Sequence, residues 1–166
     1  MRLALSEEQA RFGAALDDLL GAAGVPDAAR RWAAGDHAPG LALWRRLADV
    51  GVTALAVPER SGGLDAAPAD LVVACEALGY HAVPGPVAET VAAVPTLLGD
   101  LDDARWLPAL ASGDLLATLA APPQLPYPLD AAAAGLVLVA DPSSMIKAWR
   151  PAGGLPGGGP GAGGVV

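Results

Sequence analysis

Leu43-Trp44-Arg45-Arg46-Leu47-Ala48-Asp49-Val50-Gly51-Val52 runs into Leu55-Ala56-Val57-Pro58-Glu59-Arg60-Ser61-Gly62-Gly63-Leu64. Leu43, Trp44, Leu47 and Val50 recur at helical spacing, with Arg45, Arg46 and Asp49 on the opposite face, which predicts a helix from about Leu41 to Val50. Gly51 supplies the left-handed residue that closes such a helix. The segment from Val52 to Leu64 then reads as a short extended piece that turns through Gly62-Gly63.

Working outward, Ser6 followed three residues later by Gln9 is a capping-box pattern, with Glu7 and Glu8 in the turn where the helix dipole favours anions. Phe12, Leu16, Leu19 and Leu20 continue it, so residues 7–21 form an amphipathic helix, closed by Gly21 and Gly24. A short helix fits Asp27–Ala34. Pro68 suits the first turn of a helix over Ala69–Leu78, ended by Gly79. Another helix runs from Pro86 to Leu98, bent or shortened by Pro95, and a further one from Asp102 to Ala111 with two acidic residues at its positive end. After Ser112-Gly113-Asp114 the period changes: Leu115–Ala121 and Leu136–Ala140 read as short strands, separated by the proline-rich Pro122–Pro128. The fold class is therefore α+β. Residues 1–112 make an all-α domain, 113–150 the start of a β domain, and 151–166 a Gly/Pro-rich segment expected to be disordered.

The 166 residues fit one ordinary domain rather than two large ones. A net charge of -8 argues against nucleic acid, which demands a Lys/Arg footprint, and against a polybasic membrane patch. Mean hydropathy is +0.41, yet the longest apolar stretches, Ala82–Leu98 and Leu115–Ala140, are interrupted by Glu89, Asp114 and Asp130 and by prolines. No secretory signal opens the sequence, so the expected location is cytoplasmic.

Chemistry is sparse. Cys75, the single cysteine, reads as a buried inert thiol on an apolar helix. His37 and His81 lack metal-ligand spacing, so no metal site is expected. Gly159-Pro160-Gly161-Ala162-Gly163-Gly164 matches a dinucleotide fingerprint in letters alone, without the strand before and the helix after that give it meaning. Trp32, Trp44 and Trp106 read as core or rim. Glu89 is the one carboxylate in the apolar stretch Val83–Leu98 and reads as a residue on the solvated face. No catalytic residue is assigned.

The order of these motifs resembles the start of an acyl-CoA dehydrogenase. Leu5-Ser6-Glu7-Glu8-Gln9 is similar to the family's first-helix entry, and Leu43–Val52 followed by Leu55-Ala56-Val57-Pro58-Glu59 and Gly62-Gly63-Leu64 to the segment leading into its Pro-Glu-x-x-Gly-Gly turn. Val72-Val73-Ala74-Cys75-Glu76-Ala77-Leu78-Gly79 looks like the helix after that turn, and Arg105–Asp114 like the approach to the β domain. The resemblance spans residues 3–140 and implies an all-α N-terminal domain leading into a β-barrel. It also implies FAD as cofactor, acyl-CoA as substrate class, fatty acid metabolism as setting, and a homo- or hetero-oligomer. On the helix beginning at Pro86, Val87, Thr90, Val91 and Val94 fall on one face and are the expected substrate-binding wall for an acyl chain.

The departures carry equal weight. Where the family has Thr-Glu-Pro-x-x-Gly-Ser-Asp against the flavin, this sequence has Leu119-Ala120-Ala121-Pro122-Pro123-Gln124, so cofactor-binding residues stay unassigned. Lys147-Ala148-Trp149 echoes the family's Lys-x-Trp-Ile-Thr over two residues only. The C-terminal helical domain that carries the family's catalytic glutamate has no counterpart in these residues. The family reaction removes the α-proton with a carboxylate and passes the β-hydride to FAD. The expectation is that this chain alone does not perform it. Three readings stay open: a truncated or divergent dehydrogenase chain, a non-catalytic structural subunit of a mixed assembly, and a truncated gene product.

Overall fold

The computed structural model describes residues 4–140 and the backbone of 146–149. The elements in order are α1 (Glu7–Gly21), α2 (Val25–Ala33), α3 (Ala38–Asp49), α4 (Pro68–Tyr80), α5 (Val94–Asp100), α6 (Leu107–Ala111), β1 (Ala117–Ala120), β2 (Leu136–Ala140) and β3 (Ile146–Trp149). Helices come first and strands second, as the change of period at residue 112 requires.

Helix α1 begins with the full capping box: the Ser6 hydroxyl accepts from the Gln9 N–H at 3.1 Å, and the Gln9 side-chain oxygen accepts from the Ser6 N–H at 3.0 Å. The same Gln9 donates to Asp70 at 3.0 Å, while the other Asp70 oxygen accepts from the Ala67 N–H that opens α4. One carboxylate thus serves two neighbouring positive helix ends, which offsets the cost of laying α1 and α4 parallel. At the far end His81 meets Asp17 at 3.1 Å. Between them Gly13 lets the helices close, since a Cβ there would sit 3.2 Å from Val73.

Several boundaries differ from the sequence reading. Helix α3 starts three residues earlier, at Ala38, because the Asp36 carboxylate accepts from the Ala38 N–H and Pro39 sits in the first turn. Helix α4 runs through Gly79 to Tyr80. It ends with Ala82 at φ +54, where the Ala82 N–H donates to the Gly79 carbonyl and the Val83 N–H to the Leu78 carbonyl. Buried Val83 and Leu78 belong to the same cluster, so a hydrophobic contact sets this end and the glycine does not.

The expected helix over Asp102–Ala111 is only Leu107–Ala111. Asp102, at φ +55, belongs instead to the end of α5: the Asp102 and Asp103 N–H groups donate back to Gly99 and Leu98. An acidic pair is compatible with either role, and the arriving helix wins here because its last carbonyls need donors.

The piece from Val52 to Leu64 is not extended. It contains two single 3-10 turns, Val52–Ala54 and Glu59–Ser61, and then folds back on itself. The Leu64, Asp65 and Ala66 N–H groups donate to the Ala54, Val57 and Leu55 carbonyls at 2.9, 3.0 and 2.8 Å. A run of buried residues satisfies a strand pattern as well as it satisfies a packed loop, and periodicity cannot separate the two.

β1 pairs with β2 in parallel, Ala117 opposite Leu136, and β2 pairs with β3 antiparallel, Leu138 opposite Ala148. Lys147 and Trp149 therefore lie in the third strand. Two apolar clusters hold the layers together. The first gathers Leu16, Leu20, Trp32, Leu43, Trp44, Leu47, Leu78 and Val91 with Leu116; the second gathers Val57, Val94, Leu98, Leu107 and Leu110 with Leu136 and Leu138. The second crosses from helix to strand, and the first reaches the residue that leads into β1. No helix among the described residues is long and apolar enough to cross a membrane. The expectation for residues 151–166 lies outside the described residues.

Candidate functional site

The helical segment after Pro86 decides where the four expected wall residues point. Pro95 has no N–H to give to the carbonyl four residues back, and its ring would press on it. The chain answers with a π turn over Glu89–Ala93, in which the Val94 N–H donates to the Glu89 carbonyl, five residues back. An extra residue per turn changes the facing of everything around it. Thr90 and Val91 both turn inward at 0% exposure, and Val94 follows at 0%. Val91 enters the first apolar cluster, Val94 the second, and Val87 is half-buried against the first. The structure thus brings the four onto the inner side of one helical segment.

Thr90 has a role that composition could not reveal. Its hydroxyl donates to the Ala117 carbonyl at 2.8 Å and accepts from the Ala117 N–H at 3.1 Å. A second buried threonine does similar work, with the Thr53 hydroxyl donating to the Ala111 carbonyl at 2.9 Å. A threonine amid apolar residues on a helix is the only sequence signal for either contact. Glu89, on the same turn, is partly exposed, and its carboxylate makes no hydrogen bond or ion pair with the described residues.

Beyond β1 the chain reaches the stretch where the resemblance places flavin contacts. The Ala121 N–H donates to the Leu125 carbonyl at 2.7 Å, and the Leu125 N–H returns to the Ala121 carbonyl at 2.9 Å. Pro122 and Pro123 carry no N–H at all. The turn closes on itself, and side chains of Leu125, Tyr127 and Leu129 stand exposed beyond it.

The remaining candidates are quieter. Cys75 is partly buried, and that burial pushes its thiol pKa up, away from the range of a reactive thiolate. His37 packs its ring 4.5 Å from Trp32. Trp44 donates to the Pro84 carbonyl at 2.8 Å in the core, and Trp106 lies under the Arg105 guanidinium at 4.6 Å. A groove of about 450 Å³ runs between α1 and α4, floored by Ala10, Gly13, Ala14 and Ala77 with Asp17 and Glu76 along it. Among the described residues no three His, Cys, Asp or Glu side chains come together as metal ligands.

Residues 6–114 match the family model for the acyl-CoA dehydrogenase N-terminal domain. The chain is 32% identical over 126 residues to the acyl-CoA dehydrogenase IpdE2 of Mycobacterium tuberculosis, covering 75% of this chain and 39% of that protein. It therefore spans well under half the length of that relative. The ChsE4–ChsE5 complex of M. tuberculosis shares the fold at a TM-score of 0.66 and 16% identity, over 90% of this chain and 48% of that one. An acyl-CoA dehydrogenase of Bacillus anthracis complexed with FAD does so at 0.63 and 16%, over 87% of this chain and 31% of that one.

Proposed function

This chain belongs to the acyl-CoA dehydrogenase family, and from that premise we propose that it supplies the acyl-chain wall of a dehydrogenase acting on acyl-CoA thioesters, without catalysing the reaction by itself. One observation carries the reading: the helical layer that matches the family's N-terminal domain runs through α6, whereas in the turn after β1 Ala121 is tied to Leu125 and Pro122 and Pro123 have no N–H, which leaves Gln124 as the donor of that turn. In this reading residues 1–112 are the helical domain and 113–150 the opening of the β domain. Val87 meets the acyl chain directly, and Thr90, Val91 and Val94 set the shape behind it. An apolar wall selects by chain length and branching at about 1–3 kcal/mol per methylene.

FAD is bound by a structural neighbour. The residues here do not fit it at the place the resemblance indicates. Ala121 spends its N–H and carbonyl on Leu125, and the two prolines that follow have no N–H to present to an isoalloxazine ring. Proton abstraction from the substrate needs a base within about 3 Å of that proton, directly or through one water. Glu89 is the carboxylate next to the wall, and it sits on the acyl side, away from the thioester. Flavin contacts and base then come from outside the described residues, in a homo- or hetero-oligomer, in a cytoplasmic setting of fatty acid metabolism. The self-closed turn specifically favours one second reading, a non-catalytic subunit of a mixed assembly.

The test is a dye-coupled anaerobic assay of the purified chain with added FAD over short, medium and long acyl-CoAs, beside its visible absorption spectrum. The expected result is no retained flavin and no turnover. Turnover that Glu89→Gln abolishes overturns the proposal, and turnover that appears only with a co-expressed second chain selects the subunit reading.

A further inference from the structure

We infer that Thr90 is a positioning residue, whose hydroxyl takes the place of a neighbouring strand at the outer edge of β1 and so fixes the acyl wall to the sheet.

In a parallel pair, alternate residues of a strand direct both backbone groups to the same side. Just before β1 the Leu116 carbonyl accepts from Gly135 and Leu136, on the β2 side, so Ala117 faces the other way, where no strand lies among the described residues. An edge residue buried at 0% exposure cannot leave its N–H and carbonyl empty without a cost of about 1–3 kcal/mol for each group. Thr90 satisfies both at once, at 3.1 and 2.8 Å, which is what a strand partner would do.

The π turn makes this reach possible. With its added residue, Thr90 addresses the strand while Val91 and Val94, on the same segment, drop into separate apolar clusters. The wall and the strand are therefore joined at one point by two short hydrogen bonds. The other end of the β1 edge is closed by Leu125 pairing with Ala121, so only Leu119 lies between the two closures. The hydroxyl has committed its proton and one lone pair to the backbone, which leaves the ligand side of the segment apolar. That this segment is an acyl wall rests on the reading above; the joint itself does not.

The experiment is amide hydrogen exchange followed by NMR on the full chain, comparing the parent with Thr90→Val and Thr90→Ser. Valine keeps the shape and loses the hydroxyl, so exchange at the Ala117 amide should rise at least about tenfold while amides of α3 stay unchanged. Serine keeps the hydroxyl and should hold the Ala117 amide within about threefold of the parent. Unchanged protection in Thr90→Val overturns the inference, as does a Thr90→Ser chain that opens as far as Thr90→Val, since methyl packing would then be responsible. Should Thr90→Val fail to fold, the parent chain still decides. Its Thr90 hydroxyl proton should be visible in water with a cross-relaxation peak to the Ala117 amide, and its absence overturns the inference. No ligand enters any of these readouts, so they stand apart from the outcome of the acyl-CoA assay.

Discussion

Gly62 and Gly63 stand side by side in the turn after Pro58, and replacing each by alanine should hurt for different reasons and by different amounts. Gly62 lies at φ +84 with nothing within 4 Å of where a Cβ would be. Alanine there has room and pays only for a left-handed backbone, about 1–2 kcal/mol. At Gly63 the added Cβ would fall on the Val57 carbonyl, 1.9 Å from its oxygen and 2.4 Å from its carbon. Both partners are backbone, so neither can rotate away. Relieving the clash means moving the strand of chain by about 1.5 Å, far enough to break ordinary hydrogen-bond geometry. The bonds at risk are Gly63 to Pro58, Leu64 to Ala54, Asp65 to Val57 and Ala66 to Leu55. Losing two of them, with buried carbonyls left unpaired, costs about 3–5 kcal/mol. For a chain of this size each kcal/mol shifts Tm by roughly 2–4 °C, so Gly62→Ala should lower it by about 2–8 °C and Gly63→Ala by about 6–20 °C. Urea and thermal unfolding followed by far-UV circular dichroism measure both. Asparagine tolerates the left-handed region, so Gly62→Asn should be milder than Gly62→Ala, while Gly63→Asn gains nothing. A Gly63→Ala chain no less stable than Gly62→Ala would refute the steric argument.

Three further outcomes follow from single contacts. Asp70→Ala removes the carboxylate shared by the starts of α1 and α4 and should cost about 1–2 kcal/mol in urea unfolding, more than Gln9→Ala, which leaves the Ala67 bond in place. Ala82→Gly at φ +54, on an exposed residue, should stabilise by up to about 1 kcal/mol; a loss would mean the left-handed end of α4 is not strained. Cys75 should react with a thiol reagent more slowly than free cysteine, with its rate profile displaced to higher pH, because burial disfavours the thiolate. Its contribution to stability is fully present below the ordinary thiol pKa and is lost as pH rises through the raised folded value. Reaction at the free-cysteine rate would place the thiol in solvent.

The order of helices, the cap at Ser6, the left-handed Gly51 and the two opening strands were legible in the sequence, because each depends on short-range chemistry. A hydroxyl three residues before a Gln, or an apolar residue every three to four positions, acts on neighbours already close along the chain. The family resemblance was legible for the same reason, through Pro58-Glu59 and Gly62-Gly63-Leu64 in their order. The ends of α4 and α5 were not, since Gly79 was available and unused, while Ala82 and Asp102 took the left-handed positions, where Val83 enters the core and Asp102 accepts from Arg60. Nor could spacing foresee that Val52–Leu64 would fold back in 3-10 turns, because the unbroken burial of Val52–Leu55 erases the periodicity that separates strand from loop.

The candidate site divides along the same line. Sequence placed Val87, Thr90, Val91 and Val94 on one helical segment. Only the tertiary structure decided that Thr90 speaks to Ala117, twenty-seven residues away, and that Val91 and Val94 enter different clusters, because the π turn forced by Pro95 rotates them apart. A hydrogen bond between distant residues depends on where two elements pack, and no local pattern encodes that position. What the sequence determined by itself was which elements form; what packing decided was which of their polar groups would find each other.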